Sequence, residues 1–192
     1  LKFGGTSVST RECWENIYNT LKDYTSAGNT CLLVCSAPSQ VSNLLETALQ
    51  EALSNNHGDA LNKIKSTYLT LINELEVTDE GTVNTYFTEL DERLHGISLL
   101  GESTPSIDAK VMAFGELLLS QIATLFIREK SLPVEWLDAR EHLHAESSDN
   151  DPYQSFMSTA CDYSVDTTLQ DHLNQTPKHV FITQGFIASN SD

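Results

Sequence analysis

Lys2-Phe3-Gly4-Gly5-Thr6-Ser7 follows a single apolar residue and leads directly into a helical pattern. Two adjacent glycines let the backbone adopt positive φ and approach a ligand closely, and the two hydroxyl residues can cap the coming helix. A helix N-terminus offers free N–H groups and partial positive charge, to which Lys2 adds a full charge. The stretch therefore predicts a strand-to-helix turn that binds phosphate, although an ordinary βα turn with two glycines has the same pattern.

The residues after this turn predict a β-α-β unit. Ser9-Thr10-Arg11-Glu12 matches a capping box, and apolar residues continue at helical spacing until Gly28. Residues 30–35 form a continuous apolar run, which is typical of a strand covered on both faces. Because strand, helix and strand follow in this order, we expect a parallel sheet.

A long helical excursion, at about 41–129, interrupts the strands. Amphipathic patterns predict helices at 41–53, 59–76 and 79–95, and a helix that is apolar almost all round at 107–129. In the last of these, Gly115 places a helix-weakening residue beside the acid Glu116. Such a local conflict is expected at a functional site, but a Glu116 on an exposed edge of the helix would give the same sequence.

Two further strands are predicted, at 133–137 and 180–183, with a helix near 164–174 between them. The acidic, polar segment 145–152 is predicted to be solvated surface. The chain is therefore expected to form an α/β domain.

Three loops are expected at the carboxyl ends of the strands, where parallel sheets bind ligands. They are Lys2–Ser7, the hydroxyl-rich Ser36–Asn43 and Gln184–Asn190. The second loop can donate N–H and O–H groups to a carboxylate or phosphate, or simply cap a helix. The order of a Walker P-loop, the elbow of a serine hydrolase and a hydrolase triad are all absent from the sequence.

The charge of the chain restricts its partners. There are 27 acidic and 11 basic side chains, and the net charge is −16. This argues against a nucleic acid or an anionic membrane as partner, because there is no basic stripe to neutralise phosphates. An anionic ligand would need a local cation, and Lys2 and a divalent metal are the candidates. No run of 18 apolar residues predicts a membrane span, and no signal peptide is visible.

The cysteines indicate a reducing, cytoplasmic environment. Cys31 and Cys35 would share one face of a strand at about 13 Å, too far for a disulfide, so all four cysteines are expected to be reduced. His142 and His144 lack further ligands at zinc spacing, so no metal site is predicted there. The chain begins within a strand without Met and ends at Ser191-Asp192, and we expect it to be a fragment of a longer protein.

Four groups of residues together resemble the catalytic domain of aspartokinases. They are Lys2-Phe3-Gly4-Gly5-Thr6-Ser7, Val34-Cys35-Ser36-Ala37 with Val41-Ser42-Asn43-Leu44, Gly115-Glu116, and Gly185-Phe186-Ile187. Residues 95–101 also look like the matching segment of bifunctional aspartokinases. The agreement in spacing and order covers the whole chain and is more specific than any single motif.

The resemblance implies a three-layer αβα sandwich around a mainly parallel sheet. It also implies an enzyme that transfers the γ-phosphoryl group of ATP to the side-chain carboxylate of L-aspartate, giving 4-phospho-L-aspartate, the first step towards lysine, threonine and methionine. ATP and Mg²⁺ are the implied cofactors, and the full-length enzyme is expected to be a homo-oligomer. Residues 1–192 would be the N-terminal, amino-acid-binding part, inactive alone without the nucleotide-binding half and the regulatory domains.

The resemblance also implies roles for individual residues. Those expected to contact the nucleotide are Lys2, Phe3, Gly4 and Gly5. Among them, Lys2 would be catalytic, neutralising charge on the transferring phosphoryl group. Those expected to bind the substrate are Ser36, Ala37, Ser42 and Glu116. Glu116 would pair with the ammonium group of aspartate. The departures from the family are Pro38, Gln40 and Ala188, which put the loop geometry in doubt.

Two alternatives stay open at this point. The chain could belong to another amino-acid kinase, acting on glutamate, acetylglutamate or a nucleotide. It could also be a non-catalytic binding domain of the same fold, although the presence of Gly5, Ser36 and Glu116 argues against this.

Overall fold

The computed structural model describes residues 1–145, 152–157, 160–161, 164–175 and 179–190. The predicted acidic surface segment lies outside the described residues, except for its two end positions. Ser191-Asp192 also lies outside them.

Four parallel strands form one sheet, in the order β1-β2-β4-β3. The strands are β1 Lys2–Gly5, β2 Cys31–Pro38, β3 Val134–Trp136 and β4 Val180–Gln184. The helices are the 3₁₀ turn Thr6–Val8, α1 Arg11–Ser26, α2 Val41–Ala52, α3 Gly58–Leu75, α4 Thr82–Leu100, α5 Pro105–Met112, α6 Phe114–Glu129, α7 Ala139–His142, α8 Pro152–Met157 and α9 Thr167–Gln175. This order confirms the predicted α/β fold and its helical excursion.

The hydrophobic core lies between one face of the sheet and the helices. Helix α6 packs across β2, β3 and β4, and α1 packs beside it on β2. Cys31, Leu33 and Cys35 point to this face and are buried. Trp14 of α1 and Phe126 of α6 meet edge to face with ring centroids 6.1 Å apart. Burial of these large side chains supplies much of the stability of the domain.

The other face of the sheet is covered less completely. Helix α9 reaches it at two neighbouring strands, where His172 contacts the Glu135 carboxylate at 2.8 Å and the Phe181 ring at 5.6 Å between centroids. This makes the third layer. Leu32 lies on the same face and is 40% exposed. Within the described residues, the prediction that both faces of β2 are covered is therefore wrong. A continuous apolar run in the sequence does not show whether one face of the strand stays exposed.

The start of α1 differs from its prediction. Thr10 is the N-cap, and its hydroxyl accepts a hydrogen bond from the Cys13 N–H at 3.3 Å. Ser9 instead donates its hydroxyl to the Gly5 carbonyl at 2.8 Å. The predicted capping box is therefore wrong by one residue, because Ser9 is used to close the preceding turn.

The apolar segment predicted as one helix at 107–129 is two helices. Ala113 ends α5 and begins α6, and Thr104 caps α5 by accepting from the Ile107 N–H at 3.3 Å. Taken together, residues Pro105–Glu129 are long and apolar enough to cross a membrane by composition, but 67% of the most apolar window is buried inside the protein. Buried core helices can be equally long and apolar, and the interruption at Ala113 is consistent with a pair of core helices.

The cysteines are free, as expected. Cys31 and Cys35 are buried in β2, and burial raises the pKa of the Cys35 thiol to about 12. A thiol with so high a pKa stays protonated and unreactive at neutral pH.

Candidate active site

Three strand ends converge on Ser36. A Cβ placed on Gly4 would lie 2.6 Å from the Ser36 Cβ, and a Cβ placed on Gly185 would lie 3.1 Å from the Ser36 Oγ. A side chain at Gly4 would force Ser36 to shift, and one at Gly185 would contact the Ser36 Oγ tightly, so the two glycines allow the close approach of β1, β2 and the turn after β4. The predicted convergence of the three loops at one edge of the sheet is confirmed by these contacts.

The Ser36 hydroxyl has no hydrogen-bond partner among the residues that the structure describes. Its Oγ is buried, and no hydrogen bond satisfies it within the described part of the chain. Ser36 was predicted in a loop but lies in β2, because pairing with β1 extends that strand to Pro38. A buried polar atom without a partner is rare in a folded protein. Because the Ser36 Oγ lies at the carboxyl end of a parallel strand, it is a candidate ligand-binding group.

The turn after β1 is a single 3₁₀ turn. Gly5 has φ 60° and ψ −126°, a conformation that favours glycine. Ser7 Oγ accepts from the Gly4 N–H at 3.1 Å and donates to the Gly4 carbonyl at 2.8 Å. The prediction that Thr6 and Ser7 cap the helix is therefore wrong, because Ser7 locks the turn. The predicted positive φ is found at Gly5 but not at Gly4. Gly4 is needed for its small size, because a Cβ there would meet Ser36.

Lys2 is exposed at the start of β1. Its Nζ lies 4.1 Å from the ring centroid of Phe186, which is 85% exposed and has φ 61°. No carboxylate of the described residues lies within ion-pair distance of Lys2. Phe3 points to the opposite face and packs against the core. Lys2 is therefore available to an anion, whereas any contact of Phe3 with a nucleotide would involve its backbone.

Glu116 is buried in the first turn of α6. It is 9% exposed, and its Oε1 accepts a hydrogen bond from the Ala37 N–H at 3.0 Å. Burial raises the pKa of this carboxyl group, and the Ala37 N–H and the charge of Lys2 oppose that rise without cancelling it. The alternative of an exposed surface glutamate is thereby excluded.

Gly115 explains the local conflict noted in the sequence. A Cβ at this position would lie 2.9 Å from the Ala37 Cβ and 3.7 Å from the Val41 Cγ1. Glycine therefore lets α6 approach the end of β2 and the start of α2 closely enough for the bond between Glu116 and Ala37. Tyr68 of α3 donates its hydroxyl to the Gly115 carbonyl at 2.6 Å.

Ser42 lies in the first turn of α2 and is exposed. It follows Val41, which faces Gly115, so the start of α2 borders the same site. The N-cap of α2 is Gln40, whose φ is 74° and whose side chain makes no capping bond. Side-chain capping of α2 by its N-cap residue is therefore not realised.

Sequence reasoning missed a buried amide beside the site. Gln184 was predicted in a turn but is the last residue of β4 and is 2% exposed. Its Oε1 accepts from the Ala139 N–H at 2.8 Å, and its Nε2 donates to Ser120 Oγ at 2.9 Å. It thereby joins the ends of β3 and β4 to α6. An amide directly after four strand residues was the available signal, because such a group needs buried partners.

The cavities and histidines of the described structure lie apart from the candidate site. Two cavities of about 350 and 380 Å³ lie beside His142 and Ser39, and neither is lined by Lys2, Ser36 or Glu116. His142 and His144 have separate partners, Asp166 and Ser189. Within the described ranges, no three His, Cys, Asp or Glu side chains are grouped to hold a metal ion.

The fold and the site together define a class of protein: a parallel αβα domain with a candidate ligand site at the carboxyl ends of its strands. That site combines a lysine–glycine turn, a buried glutamate, and a serine that has no partner among the described residues. The comparison with protein families narrows this class. The model of the amino acid kinase family matches residues 1–192. The chain belongs to that family.

Individual relatives are aspartokinases. The chain is 25% identical over 201 residues to a bifunctional aspartokinase/homoserine dehydrogenase from Buchnera aphidicola, covering 100% of this chain and 24% of the relative. It is 26% identical over 196 residues to the lysine-sensitive aspartokinase 3 of Escherichia coli, covering 99% of this chain and 40% of the relative. It thus spans 24% and 40% of the length of these two relatives.

Solved structures of aspartokinases share the fold. Escherichia coli aspartokinase III in complex with aspartate and ADP matches with a TM-score of 0.78 at 20% identity, over 99% of this chain and 41% of that one. Aspartate kinase from Clostridium acetobutylicum matches with a TM-score of 0.72 at 17% identity, over 100% and 39%. Similarity at this level of identity establishes the fold.

Proposed function

We propose that residues 1–192 are the N-terminal, amino-acid-binding part of the catalytic domain of an aspartate kinase. The observation that carries the proposal is the buried Glu116 carboxylate, which accepts a hydrogen bond from the Ala37 N–H. This bond lies at the sheet edge where the Ser36 hydroxyl has no partner within the described ranges. The aspartokinase relatives, which are longer than this chain, support the same conclusion.

Glu116 is suited to bind the ammonium group of an amino acid. Its burial makes ionisation costly, and a cation from the ligand would offset that cost. The Ala37 N–H fixes one carboxylate oxygen, which reduces the freedom lost on binding. Ser36 and Ser42 would donate their hydroxyls to the carboxylates of the substrate. Specificity for an amino acid would thus come from a charge that only an ammonium group neutralises.

The other end of the site is suited to phosphate. Lys2 has no carboxylate partner among the described residues, and no atom lies within 4 Å of a Cβ placed on Gly5. Lys2 would stabilise charge on the phosphoryl group, and the backbone of Gly4 and Gly5 would lie beside it. Bound ATP would supply the γ-phosphoryl group, whose bond to the ADP oxygen breaks as an aspartate carboxylate oxygen bonds to phosphorus, with Mg²⁺ carried on the phosphates.

Positioning and charge stabilisation suffice for this reaction, without a covalent intermediate on the protein. The resemblance to aspartokinases also carries the proposals of a cytoplasmic homo-oligomer and of a role in lysine, threonine and methionine formation. The free cysteines fit a reducing compartment. We also propose that residues 1–192 alone are inactive, because the relatives are more than twice as long.

The test is substrate profiling of the gene product that contains residues 1–192. With ATP and Mg²⁺, hydroxylamine trapping of the acyl phosphate should detect product with L-aspartate. N-acetylglutamate should give none, because it has no ammonium group to pair with Glu116. Preferred turnover of glutamate or acetylglutamate would instead assign another amino-acid kinase. A product that binds neither ATP nor aspartate in calorimetry would be a non-catalytic domain.

A further inference from the structure

Tyr68 connects the helical excursion to the candidate site. It lies on α3, is fully buried, and donates its hydroxyl to the Gly115 carbonyl 47 positions later at 2.6 Å. Its ring packs against Phe87 of α4 at 6.4 Å between centroids. The tyrosine is therefore held by two helices of the excursion while its polar end contacts the first turn of α6.

The accepting carbonyl lies in the first turn of α6. Ala113 lies between α5 and α6 and keeps helical hydrogen bonds to Ala109 and Leu117, so side-chain contacts from other elements add to the constraint on this turn. Gly115 is pressed against Ala37 from one side and receives the Tyr68 hydroxyl. The next residue is Glu116, whose carboxylate must reach the Ala37 N–H.

We infer that Tyr68 is a positioning residue for amino-acid binding, which sets the first turn of α6 so that Glu116 meets both the Ala37 N–H and the substrate ammonium group. The inference rests on the proposed function for its substrate, but the bond between Glu116 and Ala37 can be measured without substrate. The excursion thereby has a role at the site beyond adding to the core.

The kinetic test is Tyr68→Phe in the gene product that contains residues 1–192. Loss of one buried hydrogen bond should raise the KM for aspartate about 3- to 10-fold, while kcat and the KM for ATP change less than about twofold. Tyr86→Phe is the matched control. Tyr86 of α4 also contacts α6, because its ring packs edge to face on Phe114 at 6.2 Å between centroids. Removal of the Tyr86 hydroxyl should leave the KM for aspartate unchanged.

The second measurement is amide hydrogen exchange in the unliganded protein. In Tyr68→Phe, exchange at Ala37 should accelerate about tenfold relative to exchange at Val34, whose N–H bonds to the Leu1 carbonyl. A lower thermal midpoint with unchanged exchange ratio and unchanged KM would overturn the inference, as would an equal KM effect in Tyr86→Phe. A wild-type protein that shows no aspartate turnover would refute the proposed function, and the exchange ratio would still decide the role of Tyr68.

Discussion

The two halves of the candidate site are held in opposite ways. Glu116 is 9% exposed and lies among Ala37, Gly115 and Tyr68, which are themselves buried in the core. Lys2 is exposed, and its Nζ lies over the ring of Phe186, which is 85% exposed.

Under the proposed function, this difference would separate substrate binding from chemistry. The half around Glu116, proposed to bind the amino acid, is held by the same packing that stabilises the fold, so its substitutions should affect substrate affinity and stability together. The half around Lys2, proposed to bind phosphate, depends on one exposed charge with little packing, so its substitution should affect the reaction and leave the fold intact. Substitutions in each half test this separation.

The largest effect is expected for Lys2→Ala. Loss of the charge that faces the phosphoryl group should lower kcat about 100-fold or more. Aspartate binding should stay measurable by calorimetry, because Glu116 and Ala37 are unchanged. The free energy of unfolding should change by less than about 0.5 kcal/mol, because the side chain is exposed.

Lys22→Ala is the control for Lys2→Ala. Lys22 is an exposed lysine whose Nζ lies 5.9 Å from the Tyr18 ring centroid, a similar setting away from the site. Its loss should leave kcat unchanged. Wild-type turnover in Lys2→Ala would exclude Lys2 as a catalytic residue. An equal loss of kcat in both variants would mean that the effect comes from the net charge of the protein and not from the position of Lys2.

Glu116→Gln tests the buried half. Loss of the ammonium partner should raise the KM for aspartate about 100-fold, because charged hydrogen bonds in buried sites are strong. The amide oxygen can still accept from the Ala37 N–H, so the local structure should persist. Retention of the wild-type KM would exclude Glu116 as the ammonium partner.

The same variant should change how stability depends on pH. The pKa of Glu116 is raised in the folded state, so the folded protein binds more protons than the unfolded chain between the unfolded pKa and the raised value. The free energy of unfolding of the wild type should therefore fall as pH rises through this range, and Glu116→Gln should remove this contribution. Urea unfolding at pH 4 and pH 7 should show the variant gaining relative stability at the higher pH.

The sequence predicted those parts of the site that depend on neighbours along the chain. The glycine turn of β1, the apolar run of β2 and the conflict at Gly115 are local signals, and each lies where it was expected. What joins them is non-local. The strand end at Ser36 depends on pairing with β1, and Tyr68 looks in the sequence like one more residue of an apolar stripe. Hydrogen bonds across 47 and 79 positions leave no periodic signal.

Gly115→Ala sharpens the comparison through packing. The added methyl group would lie 2.9 Å from the Ala37 Cβ, so α6 must shift, at a cost of about 1–3 kcal/mol in unfolding free energy. Because the shift moves Glu116, the KM for aspartate should rise as well. The matched control is Gly96→Ala in α4, where a Cβ meets no atom within 4 Å. The free energy of unfolding of Gly96→Ala, measured with urea, should rise by up to about 1 kcal/mol. Equal effects in the two variants would refute the close approach.

The smallest effect is expected for Gln40→Gly, in the loop that joins β2 to α2. Gln40 is exposed and has φ 74°, a conformation that strains a residue with a side chain. Glycine removes this strain but adds freedom to the unfolded chain, so the net gain should be about 0.5 kcal/mol in urea unfolding. Gln50→Gly, at an exposed position inside α2, should instead cost about 1 kcal/mol. The KM for aspartate should stay unchanged in Gln40→Gly, because Gly115 and Tyr68, not this loop, hold Glu116. A raised KM for aspartate would show that the loop between β2 and α2 also helps to hold Glu116.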